Sequence, residues 1–347
     1  MTWPRLLPLA LAACLLATPS PWMPLALAAD PAPASPAPAE LASPAPEETP
    51  APDLPVVEDD TPETYEEATV EWLKKAAAAG DVDAMVELGF RYAEGRGGQP
   101  DGKQAMIWFR QGAAKNDMRA IAYIGFLHHR GMGVPKNLPE AIKWYRRSAD
   151  GGYMWAQRAL AELYGEGLEV KIDFKEAAKW HRKAAEQGNV DSAVTLGVLY
   201  EQGNGVPQSY TEANRWYRRA AEKGEPEAQF LLGYNLKEGK GARADHKQAL
   251  AWLTSAAKLN HVQAQAAVGE MHAKGQGTKQ SWAEAAKWYR RGAEADDPWA
   301  QNCLGELYRD GRGVKRDLKE ARKWFSLSAR YNFIGRRNLA ALQRVRR

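Results

Sequence analysis

The chain has 347 residues, of which 45% are hydrophobic, and a formal net charge of +4. This apolar fraction is enough for a folded core, and two cysteines, Cys14 and Cys303, are too few for a disulfide-based scaffold. The charge is uneven, because residues 1–69 hold one basic and eleven acidic residues, which leaves residues 70–347 with a basic surplus of 14.

Residues 1–28 have the pattern of a signal peptide. Arg5 precedes an apolar run rich in Leu and Ala, and residues 26–28 (Ala-Leu-Ala) form a small-x-small cleavage site. Prolines interrupt the run, which argues against a stable membrane helix. Two alternatives stay open: a disordered apolar N-terminus, or a lipobox at residues 11–14 (Leu-Ala-Ala-Cys) with acylation at Cys14. We therefore expect export to the periplasm, or an outer-membrane lipoprotein anchored through Cys14.

Residues 29–62 consist mainly of Pro, Ala, Glu and Asp, with no aromatic residue. Such a segment buries too little apolar surface to fold, and repeated Pro-Ala steps favour extended polyproline geometry. We interpret it as a disordered acidic linker.

The rest of the chain is dominated by a strict internal repeat of 36 residues. Single repeats of this size cannot bury their apolar face alone, so such a period predicts a stacked array. With Ala84 as position 1, full repeats begin at residues 84, 120, 156, 192, 228, 264 and 300. Tryptophan marks position 25, at residues 72, 108, 144, 180, 216, 252, 288 and 324.

Each repeat is predicted to form two helices, A and B. Apolar residues at positions 1, 5 and 9 give helix A one buried stripe, and a Gly-x-Gly pair at positions 12 and 14 ends it. Helix B begins at an Asp, Asn or Ser at position 18, followed three residues later by Glu or Gln. That spacing predicts a capping box, in which the two side chains bond each other's backbone N–H groups. Ala, Trp and Ala-Ala at positions 22, 25 and 29–30 form the predicted inner stripe of helix B.

Both ends of the array carry predicted caps. Residues 63–83 form a half-repeat in helix-B register, and residues 336–347 form a basic C-terminal capping helix. Repeat arrays need polar ends to stay soluble. The expected fold is therefore all-α: a right-handed α-solenoid over residues 63–335, with seven two-helix repeats and capping helices.

The repeat pattern resembles the SEL-one-like repeat (SLR), a relative of the tetratricopeptide repeat. Segment 192–224 carries it most completely, with Leu196, Gly197, Tyr200, Gly203, Gly205, Val206, Ala213, Trp216, Ala220, Ala221 and Gly224. The resemblance implies an adaptor or assembly factor of the bacterial envelope that binds other proteins. A cysteine-rich branch of the family is linked to β-lactam binding, but its paired cysteines are absent here. Departures include Glu169 for the second Gly of repeat 3, and Leu236, His128 and His272 for the Tyr at position 9.

No catalytic or cofactor motif stands out in the sequence. HExxH, GxSxG and CxxC are absent, and no Lys-Ser/Thr follows the Gly pairs as a phosphate loop requires. His128 and His272 lie four repeats apart and cannot share a metal ion. An enzyme, such as a cell-wall hydrolase, is a further alternative function. We expect neither catalysis nor a cofactor.

Partner binding is predicted on the helix-A face, which we define as positions 3, 7 and 10 of helix A together with the preceding position 36. These positions vary between repeats, and in related solenoids helix A lines the concave surface. Large aromatic and Arg side chains dominate binding hot spots. The predicted residues are Phe90, Phe126, Trp155, Arg158, Phe230, Tyr234, Lys237, Trp299 and Arg309. We expect a groove for a partner peptide or helix, with packing between repeats as the alternative role of these rings.

A second surface is basic. Positions 27 and 28 of helix B are often Arg-Arg, as at residues 146–147, 218–219 and 290–291. A solvated face is the simple interpretation. The alternative function is an envelope module that binds anionic glycan or lipid through these residues. Nucleic acid is not expected, because the chain is predicted to be exported and has no aromatic-basic recognition motif.

Overall fold

The computed structural model describes residues 64–65, 68–96, 98–167, 169–331 and 333–344. The predicted signal peptide, the linker and Cys14 lie outside these residues. The described chain from residue 69 onward contains sixteen α-helices and no strand. In order these are α1 (Val70–Ala78), α2 (Val82–Glu94), α3 (Gly102–Ala114), α4 (Met118–Arg130), α5 (Leu138–Asp150), α6 (Met154–Glu166), α7 (Phe174–Glu186), α8 (Val190–Gln202), α9 (Tyr210–Ala221), α10 (Pro226–Glu238), α11 (His246–Lys258), α12 (Val262–Lys274), α13 (Trp282–Glu294), α14 (Pro298–Asp310), α15 (Leu318–Ser328) and α16 (Phe333–Arg344).

The even-numbered helices from α2 to α14 are helix A of the seven repeats, and the odd-numbered helices from α3 to α15 are helix B. Each helix packs mainly against the helices directly before and after it in the chain. The predicted all-α solenoid of two-helix repeats is confirmed. None of the helices in the described part of the chain is both long and apolar enough to cross a membrane.

Glycine ends every helix A. The residue after each one adopts a left-handed conformation, with φ of 76° at Gly203 and 70° at Gly311. The second Gly of the pair lies against the backbone of the previous repeat, as Gly241 does against Tyr210, where a Cβ would lie 2.5 Å from the carbonyl carbon. This close approach explains why glycine is preferred at position 14, although the third repeat accommodates Glu169 there.

Side-chain caps begin every helix B, but only half of the predicted capping box forms. Ser209, for example, accepts a hydrogen bond from the backbone N–H of Glu212 at 3.2 Å. The backbone N–H of Ser209 donates to the carbonyl of Tyr200 at 2.8 Å. The same bond to helix A recurs in all seven repeats, so this N–H is no longer an orphan that a Glu side chain must satisfy. The position-21 side chains bond other groups instead, as Glu320 does with Trp324 Nε1 at 3.1 Å.

The core of each repeat is built on contact between positions 6 and 26. Position 26, directly after the periodic Trp, holds a buried side chain that in most repeats is large, such as Tyr145, Tyr217 or Phe325, each with 0% exposure. The Gly at position 6 of helix A lies against it, and a Cβ built on Gly305 would be 2.7 Å from the ring of Phe325. The missing side chain therefore lets helices A and B approach closely.

The periodic tryptophans are less buried than the sequence pattern predicts. Trp180 and Trp216 are buried, at 1% and 2% exposure, but Trp108, Trp144 and Trp252 keep part of their surface exposed. Several indole rings form cation–π contacts instead. The Arg291 guanidinium, for example, lies 4.9 Å from the centroid of the Trp288 ring. Tryptophan at position 25 therefore lies at the edge of the core and shields the helix-B surface.

Helix α16 closes the C-terminal end of the array. It begins at Phe333, three residues before the predicted boundary at 336, and packs against α14 and α15. Leu342 is 6% exposed, and the Asn338 amide donates to Asn302 Oδ1 at 2.9 Å. The helix covers the last repeat with one apolar side, while Arg336 and Arg337 remain exposed.

Candidate functional site

The nine residues of the predicted binding surface fall into three separate groups on the helix-A face. Residues 90, 126, 155 and 158 belong to the first three helices A, residues 230, 234 and 237 to α10, and residues 299 and 309 to α14. Lys237 is buried, and the other eight are intermediate between buried and exposed. The face is thus a set of local sites rather than one continuous row.

The first group forms an aromatic cluster, which we define as Phe90, Tyr123, Phe126 and Trp155. Tyr123 lies at its centre, with ring centroids 4.4 Å from Phe90 in an edge contact and 5.2 Å from Trp155 in a stacked contact. Phe126 packs edge-on against Trp155 at 6.2 Å. The three predicted rings keep part of their surface exposed, while Tyr123 is only 3% exposed. The cluster is therefore a half-buried apolar patch shared by three successive repeats.

Tyr123 was missed by the sequence analysis, because position 4 lies outside the four positions chosen for the face. Burial raises the pKa of its phenol, with smaller contributions from Tyr153 and Glu94. Its buried hydroxyl has no hydrogen-bond partner within the described part of the chain. A buried polar group without a partner costs about 1–3 kcal/mol, so it needs an explanation. The signal in the sequence is a Tyr where other repeats carry Glu, Ala, Thr, Leu or Cys.

Arg158 places a charged side chain at the edge of the aromatic cluster. Its guanidinium contacts Asp191 Oδ2 at 3.2 Å and Glu162 Oε1 at 3.4 Å. Burial raises the pKa of Glu162 to about 7, and Arg158 partly opposes this rise. Both carboxylates come from helix-A-face positions, so the Arg158 ion pairs link two neighbouring repeats along that face.

The second group corrects one prediction. Lys237 was expected on an exposed binding face, but it is 6% exposed and its Nζ lies 2.7 Å from Glu270 Oε2. Glu270 occupies position 7 of the next repeat, so this carboxylate draws the ammonium into the interface between repeats. Burial raises the pKa of Glu270, but Lys237 and Lys274 reverse the shift and hold it below its usual value. Lys237 is therefore an interface residue and is not available to a partner.

The aromatic residues of the second group remain at the surface in part. Phe230 stacks on His261 with centroids 4.6 Å apart and lies 6.1 Å from the ring of Tyr234. Burial raises the pKa of Tyr234 to about 12, with added effects of Glu238 and Glu270. This pair is smaller than the aromatic cluster and is tied to the charged interface at Lys237.

The third group lies in the last full repeat. Trp299 packs against a hydrophobic cluster that includes Leu304 and Trp324. Arg309 turns along its own helix and contacts Asp310 through Nε at 2.7 Å. Neither residue belongs to the aromatic cluster. Trp299 and Arg309 therefore occupy positions of the helix-A face, as the sequence pattern predicts, but they lie in a different local site.

The basic residues of helix B are used largely within the solenoid. At position 27, Arg146 donates to the hydroxyl of Tyr164 at 2.9 Å, and Arg182 to that of Tyr200 at 2.5 Å. Arg290 makes the same bond to Tyr308. In each case a guanidinium of one repeat bonds the position-9 tyrosine of the next, so this residue pair locks neighbouring repeats together.

No three His, Cys, Asp or Glu side chains among the described residues are placed to hold a metal ion together. The single described cysteine, Cys303, is buried, and burial raises the pKa of its thiol well above the usual value. A thiol of this kind is not activated as a nucleophile.

A family model described as Sel1 repeat matches the chain eight times. The matched segments are residues 66–81, 82–117, 119–153, 156–189, 191–225, 226–261, 262–297 and 300–330. They follow the half-repeat and the seven full repeats of the structure.

Two solved structures are similar over most of the chain. One is a protective antigen present in uropathogenic Escherichia coli strains, which displays an SLR fold. It is 32% identical with a TM-score of 0.73, and the match covers 78% of this chain and 59% of that one. This chain therefore spans less than two thirds of the antigen. The other is a Sel1 repeat protein from Oxalobacter formigenes, 29% identical with a TM-score of 0.59, covering 80% of this chain and 83% of that one. No curated protein matches the sequence significantly.

Proposed function

Because the chain belongs to the Sel1 repeat family, we propose that it is an exported adaptor that binds a peptide or helix of a partner protein on its helix-A face. Sel1 repeats are non-catalytic scaffolds for protein–protein interaction. The finer parts of the proposal are the site, the class of partner segment and the place of action.

The proposed binding site is the aromatic cluster. Half-buried rings on a rigid helical scaffold supply a large apolar contact area, and tyrosine and tryptophan are favoured in binding hot spots. The Tyr123 hydroxyl is buried beneath the cluster and out of a partner's reach, so contact would be made by the partly exposed rings of Phe90, Phe126 and Trp155.

Export is supported by the signal-peptide pattern of residues 1–28 and by the acidic linker that follows it. We therefore place the adaptor in the periplasm or at the outer membrane, in envelope assembly or regulation. Binding of anionic glycan or lipid is not part of the proposal, because several of the basic residues concerned bond neighbouring repeats.

The test is photocrosslinking in cells from a crosslinking residue at Phe126, with Ile107 as a matched control. Ile107 is 48% exposed on helix α3, outside the aromatic cluster. We expect a discrete protein adduct from position 126 and none from position 107. Lack of a protein adduct from position 126 would contradict the proposal.

A Trp155→Ala variant then tests the cluster directly, because it removes one of the partly exposed rings. Affinity for the captured partner should fall about tenfold. Tyr123→Phe is the matched control: it keeps every ring and removes only the buried hydroxyl, so the free energy of unfolding should rise by about 1 kcal/mol while the affinity stays the same. Unchanged affinity in folded Trp155→Ala would exclude the aromatic cluster from the site.

A further inference from the structure

The junction between the fourth and fifth repeats differs from the others at linked positions. Arg218 occupies position 27, where the arginines of the second, third and sixth repeats bond a tyrosine, but the facing position 9 is Leu236. Position 15 is Ala242, where the second, third, fourth and seventh repeats carry valine. The changes remove a hydroxyl partner from the arginine and bulk from the space beside it.

These changes leave an open groove of about 540 Å³ between α9 and the loop after α10. Leu236 and Ala242 contribute apolar surface, and Arg215, Arg218 and Arg219 contribute the charge. Glu222 is the single acidic residue among those that line it. The groove thus combines apolar surface with a basic rim.

A polar pair, at positions that are apolar in most other repeats, holds the loop side of the groove in place. Asn214 and Asn235 occupy positions 23 and 8, and the amide of Asn235 donates to Asn214 Oδ1 at 2.9 Å. Asn214 Nδ2 in turn donates to the Lys240 carbonyl at 2.7 Å, and Thr211 Oγ1 to the Gly241 carbonyl at 2.9 Å. The loop that carries Ala242 is therefore fixed to helix α9, so the groove is formed before any ligand binds.

The arginines of the groove are not equivalent. Arg215 contacts Glu212 at 3.3 Å, and Arg219 lies over the Trp216 ring at 5.0 Å. Arg218 makes no ion pair and no side-chain hydrogen bond in the part of the chain that the structure describes. Its guanidinium has the donors for a carboxylate, the group with which it forms its strongest hydrogen bonds.

We propose that this groove binds a short acidic segment of a partner protein, with one carboxylate on Arg218 and a neighbouring apolar side chain over Leu236 and Ala242. The apolar surface favours a peptide over a polyanion, because a sulfated glycan or a lipid headgroup has no side chain to bury there. The inference rests on the proposed function, since it gives the adaptor a second contact outside the aromatic cluster.

The probe is a fluorescent Glu-Leu-Glu-Leu-Glu peptide, with Gln-Leu-Gln-Leu-Gln as its neutral analogue. Fluorescence anisotropy with the full chain at low salt should show at least a tenfold preference for the acidic peptide. Arg218→Ala should weaken its binding about tenfold. Leu236→Tyr should do the same, because the new hydroxyl would bond Arg218 as Tyr164 bonds Arg146. Arg290→Ala is the matched control and should change the affinity less than twofold.

Circular dichroism melting establishes that each variant is folded. Unchanged affinity in folded Arg218→Ala and Leu236→Tyr would overturn the proposal, and so would failure of the wild-type chain to prefer the acidic peptide. Arg218-dependent retention on anionic phospholipid vesicles, without peptide binding, would assign the groove to lipid and also overturn it. A partner that loses affinity with Trp155→Ala but not with Arg218→Ala would leave the adaptor function standing and remove only the groove.

Discussion

At the scale of single residues, position 26 decides how helices A and B meet. Six full repeats pair a Phe, Tyr or Leu there with a Gly at position 6. The third repeat pairs His181 with Ala161 instead, and both are buried, at 5% and 0% exposure. The smaller imidazole leaves room for the extra methyl group, so the two departures compensate each other.

His181 should make stability depend on pH. Burial lowers its pKa to about 4, and Arg158 adds to the shift. The unfolded chain takes up a proton at this histidine near pH 6.5. The stabilisation of the fold by neutral, buried His181 is therefore complete above that pH and is lost as the pH falls toward 4. We expect wild type to lose about 2 kcal/mol more than His181→Leu between pH 7 and 4.5 in urea unfolding. Leucine is the position-26 residue of the fifth repeat, where Leu253 faces Gly233. Equal losses in both proteins would contradict the shift.

The sequence predicts individual environments only where residue identity repeats. Tryptophan at position 25 is recognisable from its period, yet in every repeat except the third its neighbour is the more buried of the two, and the type of that neighbour changes between Phe, Tyr, His and Leu. Lys237 looked exposed because its partner, Glu270, lies 33 residues away. A charge pattern cannot show which of two distant side chains will meet in an interface.

At the scale of helices, the glycines of helix A serve packing and not flexibility. Gly305 lies against Phe325, whereas a Cβ on Gly165 of α6 would meet only the Ala177 Cβ, at 3.7 Å. The two positions therefore allow a matched test of close approach.

Gly305→Ala should lower the free energy of unfolding by about 1–3 kcal/mol, because overpacking outweighs the gain in helix propensity. Gly165→Ala should raise it by about 0.5–1 kcal/mol, since only the propensity changes. Denaturant unfolding followed by circular dichroism measures both. The same sign for the two substitutions would show that contact with position 26 is not what selects glycine.

Helix boundaries were predictable because caps and glycines are local signals. The reciprocal half of the capping box was not, since the bond from the Ser209 N–H to the Tyr200 carbonyl depends on how helix A returns beside helix B. Local spacing predicts which residue types cap helix B, but tertiary packing determines which group accepts a hydrogen bond from the Ser209 N–H.

At the scale of the whole molecule, the solenoid followed from the period alone, because a unit that buries its face only against neighbours must stack. The division of the helix-A face into separate local sites could not be predicted from the period. Equivalent positions in different repeats carry different neighbours, as Trp155 in the aromatic cluster and Trp299 beside Trp324 show.

The C-terminal cap should be essential to the last repeats. Leu342→Asp would place a charge where α16 packs on a cluster containing Ala321 and Phe325. We expect a loss of about 2–4 kcal/mol in unfolding free energy and earlier exchange of amide hydrogens in α14–α16 than in α6–α8. Arg337→Asp, at an exposed position of the same helix, should change stability by less than about 0.5 kcal/mol. Uniform loss of protection along the chain would contradict a local role for the cap.

The nearest-neighbour packing of the helices also determines how the molecule would carry tension. A domain closed by contacts between its ends resists stretching until it ruptures at once. Here each helix is held mainly by the two beside it, so force applied to the termini would peel one hairpin at a time and let each re-form when the load drops. The solenoid would therefore lengthen in discrete steps under load and not in a single rupture.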